Sequence, residues 1–422
     1  MPLEEHELKA NAVDRFCCQY LQLERDLDYP PTTILREVDV QDAIYQRIFT
    51  DDTLAYPPPP RYQLRVLKEL TSKIEASIED WDQHGVSDDL MSVLSSLLAH
   101  PLPSETTAAQ QKSYVTYTLS LLDSHDNPPR TSAQITLLES RNLISASGTT
   151  GLRTWEAALH LGQFLCTNPS LIRGKRVLEL GSGTGYLSIL CARFLSSTLT
   201  IASDGSDEVV ANLPENFFLN GLQDSKQVRA TDVKWGHALV GTEDQHWNGG
   251  MPIDVVLGAD ITYDKSVIPA LVATLEELAV MFPHVTILIA ATERNQETFM
   301  AFLNICEKRL FNVGEVDFEL LSRQNQRGPF YSDQNNVPRD TNSEDMLEDQ
   351  GDDGLAPSAA AGIGVGSTLG GIILLALVAF LIHRGRRNRT KLDDTEADAQ
   401  NMKILRQKEA QLRARETPKE TK

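Results

Sequence analysis

One stretch constrains this chain more than any other: an apolar run, an acid and three alternating glycines. From Val177 to Gly185 it reads Val-Leu-Glu-Leu-Gly-Ser-Gly-Thr-Gly. Such a run is typical of a buried strand that turns sharply into a helix. Glycine lacks a Cβ, so the backbone turns tightly and approaches a ligand, while the first N–H groups of the helix face the same point. The stretch predicts a nucleotide-like pocket at a strand-to-helix turn.

The spacing of the glycines narrows the choice of ligand. A dinucleotide-binding turn needs a third glycine at position 186, where this chain has Tyr186, and a phosphate-binding P-loop needs a lysine that is missing here. The pattern that remains, E-x-G-x-G-x-G, is that of S-adenosylmethionine sites. Its acid, Glu179, lies near the expected place of a cationic amino or sulfonium group, and its glycines are Gly181, Gly183 and Gly185. A glycine-rich turn that binds nothing is the alternative.

Acids follow four predicted strands, namely Glu179, Asp204, Asp232 and Asp260. In open α/β sheets, ligands bind outside the carboxyl ends of the strands, so these side chains are expected at one site. Asp204 comes about 20 residues after the glycines, where an acid hydrogen-bonds ribose hydroxyls. Asp232 and Trp235 suit an adenine amino group and its ring face. Asp232 could instead simply end its strand, and Trp235 could pack in the core.

Composition and charge limit the partners. The chain has 422 residues, 41% hydrophobic and 23% charged, which is typical of a globular protein with more than one core. Its net charge is −20, with 59 acids against 39 Lys and Arg, which argues against nucleic acid and favours a basic protein target. The five cysteines form no C-x-x-C pair and no metal spacing, so we expect reduced thiols and no metal site.

Periodicity divides the first part of the chain. Apolar residues at helical spacing predict a helical N-terminal region over residues 1–110. Two β-rich runs predict a hairpin within residues 111–147. The glycine turn and the acids place the cofactor-binding domain at residues 148–331.

Five segments together carry a family resemblance: residues 148–159, 177–185, 202–205, 232–236 and 260–263. With them, residues 10 to 330 resemble the seven-strand S-adenosylmethionine-dependent methyltransferases of family 16, and within that family the elongation factor 2 lysine methyltransferases. The resemblance implies a doubly wound, Rossmann-like α/β sheet and a cytoplasmic protein-lysine methyltransferase that acts on elongation factor 2.

The resemblance also implies roles for single residues. Trp155 is expected against the cofactor, Glu179 at its amino-acid end and Asp204 on its ribose. The D-x-x-Y motif, Asp260 to Tyr263, is expected to face the substrate lysine as the catalytic pair. A free lysine has a pKa of about 10.4, so the site must orient the amine and let its proton leave.

The C-terminal part departs from the family, whose members finish with one more antiparallel strand. Residues 332–358 read as an acidic disordered linker, and residues 383–422 as a charged tail. Between them, residues 359–382 are 24 positions without a charge, about 36 Å long as a helix, which predicts a transmembrane helix and a single-pass membrane protein.

The basic residues after this segment place the tail in the cytoplasm and the methyltransferase outside, which conflicts with a cytosolic cofactor and substrate. Three explanations stay open: late insertion against the charge rule, a tail joined by a gene-model or splicing error, or a genuine fusion.

Two other functions fit parts of the sequence. Amino-methyltransferases that act on nucleic-acid bases or glutamine carry [DN]-P-P-[YF] at the fourth strand, and Asp260 to Tyr263 differs from it at the two middle positions. The negative charge disfavours the nucleic-acid substrates. A membrane-tethered module with a vestigial cofactor pocket is the non-enzymatic alternative.

Overall fold

The computed structural model describes residues 2–50, 54–104, 107, 111–122, 133–140, 150–239, 247–248, 250–293, 295–316, 318, 321–332 and 376–384. The predicted linker, from residue 333 on, and nearly all of the predicted tail lie outside these residues.

The described residues of the N-terminal region form the helices α1 (Pro2–Leu21), α2 (Thr32–Leu35), α3 (Val38–Ile48), α4 (Pro60–Ser77) and α5 (Asp88–Ala99). Their apolar residues recur every three or four positions and meet in one core, as Phe16 and Tyr20 do with Leu67, Leu70 and Ile74. A proline stands at the first position of α4, where its missing N–H leaves no helical hydrogen bond unmade.

A two-stranded antiparallel sheet follows, made of β1 (Ser113–Thr118) and β2 (Gln134–Glu139). Alternate residues of both strands, such as Val115 and Ile135, are fully buried against the main domain. The pair therefore packs on the main sheet's helical layer with one face.

The main sheet has seven strands in the order β5-β4-β3-β6-β7-β9-β8. They are β3 (Arg176–Leu180), β4 (Leu199–Asp204), β5 (Val228–Asp232), β6 (Val255–Ala259), β7 (Thr286–Glu293), β8 (Phe311–Val316) and β9 (Ala376–Arg384). Strands β3 to β7 are parallel, and β9 is antiparallel to both of its neighbours. The Rossmann-like sheet that the sequence predicted is confirmed.

Helices cover the sheet on both faces: α6 (Glu156–Thr167), α7 (Tyr186–Ile189), α8 (Asp207–Leu219), α9 (Ile268–Met281) and α10 (Gln296–Lys308). Strand β3 shows the two layers, since Val177 packs in one apolar cluster and Leu178 and Leu180 in the other. The chain leaves β3 towards β4 and later returns on the other side of β3 to form β6, so the carboxyl end of β3 is the switch point where such sheets bind ligands.

The prediction of a transmembrane helix over residues 359–382 is wrong. Residues 376–384 form β9, which is hydrogen-bonded between β7 and β8 with Ile382 opposite both Ile287 and Val313. Residues 359–375 lie outside the described part of the chain, and no helix within that part is long and apolar enough to cross a membrane. A strand that is buried between two neighbouring strands can also be a continuous apolar run. The absence of charged residues was therefore compatible with both a transmembrane helix and a buried strand.

Candidate active site

A cavity of about 590 Å³ lies at the carboxyl ends of β3, β4 and β6. Eight of the ten residues predicted for the site line it: Trp155, Glu179, Gly181, Gly183, Asp204, Trp235, Asp260 and Tyr263. Gly185 and Asp232 are not among its lining residues. The structure therefore brings together acids and rings that are spread over more than 100 positions of the sequence.

The glycine turn forms the floor of the cavity. Gly181 and Gly183 have positive φ angles of 64° and 52°, which disfavour any residue with a Cβ. A Cβ on Gly183 would lie 2.9 Å from the carbonyl oxygen of Gly151, and one on Gly181 would lie 2.7 Å from Cγ2 of Ile261. The turn can approach Gly151 and Ile261 this closely only because these positions lack side chains.

Gly185 serves packing instead. It has a φ of 83° and precedes α7, and a Cβ there would lie 2.8 Å from Cδ2 of Leu213 on α8. The third glycine of the pattern thus lets α8 pack against the turn and faces away from the cavity. A glycine spacing alone does not distinguish these two uses.

Glu179 is the buried acid at the end of β3, with 3% of its surface exposed. The hydroxyl of Ser188 donates a hydrogen bond to Oε2 of Glu179. Burial raises the pKa of this carboxyl to about 8, because the charged form loses its hydration. A cationic group in the cavity would favour the carboxylate, so the site suits a positively charged ligand beside Glu179.

Asp204 ends β4 on the opposite side of the turn. Its Oδ2 accepts the Gly183 N–H at 3.2 Å and its Oδ1 accepts the Ser206 N–H at 3.0 Å. Burial raises the pKa of this carboxyl, against the effect of these backbone donors. Both oxygens keep lone pairs available, so Asp204 can accept further hydrogen bonds from ligand hydroxyls.

Asp232 lies outside the cavity. Its side chain is 47% exposed and pairs with Nζ of Lys234 at 3.3 Å. Trp235, three residues on, lines the cavity, and its buried Nε1 has no hydrogen-bond partner among the described residues. Of Asp232 and Trp235, which were predicted to contact adenine, only Trp235 therefore lies at the cavity. Its buried N–H adds a hydrogen-bond donor there.

The loop of residues 150–155 forms another wall of the cavity. The Trp155 Nε1 donates to the Thr150 carbonyl at 3.0 Å, and the Arg153 guanidinium stacks over the indole at 4.8 Å from its centroid. Thr154 donates to Oε1 of Glu139 at 2.6 Å and lies within 2.7 Å of the Thr184 hydroxyl in the glycine turn.

Glu139 does not line the cavity but holds Thr154 of this loop, a role that the sequence did not predict. It is fully buried at the end of β2 and accepts a second hydrogen bond from the Tyr117 hydroxyl at 2.9 Å. A buried acid must be hydrogen-bonded, and here its donors tie the loop to the hairpin. An acid that continues the alternating buried positions of a strand, after Ile135 and Leu137, is the signal that could have revealed it.

Asp260 follows β6 and has a φ of 52°, an uncommon left-handed conformation for a residue with a side chain. Its Oδ1 accepts the Thr292 N–H at 2.7 Å and its Oδ2 accepts the Thr292 hydroxyl at 3.1 Å. Asp260 is 8% exposed, whereas Tyr263 is 58% exposed at the mouth. Thr292, at the end of β7, fixes this carboxylate and was not predicted.

These residues fit S-adenosylmethionine. The cavity offers a buried acid for a cation, an acid for hydroxyls, and two indole rings for a flat heterocycle. The unpartnered N–H of Trp235 adds a buried donor that a polar ligand atom would satisfy.

Comparisons with known proteins agree with this chemistry. A family model described as "Lysine methyltransferase" matches residues 138–308. A protein-lysine N-methyltransferase, EFM3, of Chaetomium thermophilum is 61% identical over 319 residues, which are 76% of this chain and 94% of that protein. The human protein-lysine N-methyltransferase EEF2KMT is 30% identical over 62% of this chain and 75% of its own length. Yeast EFM3 is 34% identical over 42% of this chain and 54% of its own.

Proposed function

This chain belongs to the lysine methyltransferase family, and we propose that the lysine it methylates lies in elongation factor 2. It is an S-adenosylmethionine-dependent protein-lysine N-methyltransferase, as the sequence predicted. One observation carries the choice of substrate: the letters EEF2KMT in the name of the human relative refer to elongation factor 2. Because that factor works in the cytoplasm, we also place the enzyme there.

The cofactor supplies an electrophilic methyl group on a sulfonium. In our proposal Glu179 lies beside its cationic end and Asp204 accepts hydrogen bonds from its ribose hydroxyls. Trp155 and Trp235 provide flat apolar surfaces, and Gly181 and Gly183 let the backbone approach. What supports these roles is that all six residues line one cavity.

We propose that Asp260 and Tyr263 hold the substrate lysine. The two side chains line the same cavity, one fixed and nearly buried and the other exposed at the mouth. A carboxylate beside an ammonium raises its pKa, so Asp260 orients the nitrogen and does not by itself remove its proton. Loss of hydration inside the cavity favours the neutral amine, whose lone pair can then face the methyl group.

Methylation of purified elongation factor 2 tests the proposal. The wild-type enzyme is expected to transfer labelled methyl groups to one lysine, located by mass spectrometry, and Asp260→Ala to lose at least about 100-fold in kcat/KM, or ~2.7 kcal/mol of transition-state stabilisation. The matched control is Asp264→Ala, a half-buried carboxylate next to the motif that accepts hydrogen bonds from Ser266 and lies outside the cavity lining. Unlabelled elongation factor 2 with the wild-type enzyme would refute the substrate, and full activity of Asp260→Ala would refute the role of Asp260.

A further inference from the structure

A second cavity, of about 1120 Å³, adjoins the active site. It lies where the N-terminal helices meet the hairpin, α6 and the segment around Tyr331. Four of its lining residues are arginines: Arg25, Arg61, Arg65 and Arg153. We name this cavity the arginine groove. Two glutamates, Glu24 and Glu156, also line it.

The acids of the groove offset its arginines only in part. Glu156 forms an ion pair with Arg153 at 3.1 Å, and Glu24 accepts a hydrogen bond from the Gln22 amide at 2.9 Å. Four cations against two anions leave the groove positive, although the whole chain carries a net charge of −20. The groove therefore has a charge opposite in sign to that of the chain as a whole.

Arginine and tyrosine are arranged together on the helical side of the groove. Arg65 and Arg25 are exposed, and the Arg65 guanidinium lies over the Tyr62 ring at 5.1 Å from its centroid. The same guanidinium donates to the Arg25 carbonyl at 3.3 Å. Arginine and tyrosine are among the residues enriched at protein interfaces, and a guanidinium pairs with a carboxylate through two parallel hydrogen bonds.

The groove is continuous with the active site. Arg153 and Thr154 line both cavities, and the Arg153 guanidinium stacks on Trp155 in the first of them. A polypeptide seated in the groove would thus lie next to the loop that covers the cofactor cavity.

We propose that the arginine groove binds an acidic segment of the protein substrate and so docks that substrate beside the catalytic cavity. This inference rests on the proposed function, since it assigns to a protein substrate the surface next to the site of methyl transfer. Charge complementarity selects the occupant: carboxylates match the excess of guanidinium groups. A nucleic acid, with one negative charge at every phosphate, would meet repulsion from the remaining surface of this acidic chain.

Binding of an acidic peptide tests the groove directly. A fluorescent oligoglutamate peptide is titrated into the full chain, and its anisotropy is followed at low and high salt. The wild type is expected to bind it, with affinity falling as salt rises, and Arg65→Glu to bind about fivefold more weakly. The matched control, Lys68→Glu, changes the charge equally at an exposed position of the same helix outside the groove lining and should bind as the wild type does.

A methylation assay then connects the groove to catalysis. Arg65→Glu is expected to raise the KM for elongation factor 2 about fivefold, with kcat changed less than twofold and the Kd for S-adenosylmethionine unchanged. An unchanged KM, an equal rise in Lys68→Glu, or displacement of the peptide by RNA at a lower concentration than by unlabelled peptide overturns the inference. If the wild type leaves elongation factor 2 unmethylated, the choice of substrate fails while the peptide titration still decides the groove.

Discussion

Thr292 holds the proposed lysine-binding carboxylate, so Thr292→Val should slow methyl transfer without unfolding the protein. The threonine donates to Asp260 twice, from its backbone N–H at 2.7 Å and from its hydroxyl at 3.1 Å. Valine keeps the shape and the β-branched side chain that suits β7, and it keeps the backbone donor. The substitution therefore removes one of the hydrogen bonds that orient the Asp260 carboxylate.

The size of the effect follows from the charge of the acceptor. A hydrogen bond to an ionised group contributes about 1.5–3 kcal/mol, and each ~1.4 kcal/mol is tenfold in rate. If the hydroxyl serves to orient Asp260 towards the substrate nitrogen, kcat should fall about tenfold to 100-fold. Because Thr292 is absent from the cavity lining, the Kd for S-adenosylmethionine should stay as it is.

The assay is steady-state methylation of elongation factor 2 with varied cofactor, together with cofactor titration by calorimetry. Thr286→Val at the first position of β7 is the matched control, since it makes the same exchange on the same strand at the end far from the cavity. A kcat within twofold of the wild-type value, in a variant that binds cofactor normally, would show that the hydroxyl does not position Asp260. An equal loss of kcat in Thr286→Val would show that the effect comes from a general disturbance of β7.

Two other predictions concern Glu179 and strand β9. Burial raises the pKa of Glu179 to about 8, so between about pH 5 and 8 the folded cofactor-free protein binds a proton that the unfolded chain has lost, and its stability falls as pH rises. Glu179→Gln should remove that slope from the midpoint temperature of thermal unfolding, and an unchanged slope would contradict the assignment. Ending the chain at residue 375 removes β9 and separates β7 from β8; the midpoint should fall by more than ~4 °C, and a truncated protein that melts as the full chain does would refute the role of this strand.

The sequence predicted those parts of the site that depend on local pattern. A glycine with positive φ and an acid at the end of an apolar strand are properties of a few consecutive residues, so Gly181, Gly183, Glu179 and Asp204 could be recognised before the fold was known. The parallel sheet followed from the same runs, because strands covered on both faces are apolar throughout.

Other parts depend on contacts between distant positions. Gly185 matches the glycine pattern, yet it packs against Leu213 on another helix and does not line the cavity. Asp232 ends a strand as Asp204 does, but its strand lies at the edge of the sheet, where the side chain turns to Lys234 and solvent. Thr292 comes 32 positions after the carboxylate that it holds. No pattern of neighbouring residues reveals such pairs.

The pairing of β3 with β6 brings the proposed cofactor site and the proposed lysine site together. Leu180 lies opposite Gly258 in the register of these strands, so the glycine turn and the D-x-x-Y motif leave the sheet at nearly the same level on adjacent strands. Ile261 packs into the space left by the missing side chains of Gly181 and Gly258, which fixes the start of the motif against the turn. The distance between the cofactor site and Asp260 is thus set by backbone hydrogen bonds and by one buried side chain. We therefore expect Gly258→Ala, whose Cβ would lie 2.4 Å from Cδ1 of Ile261, to disturb the alignment of the proposed cofactor and lysine sites although Gly258 does not line the cavity.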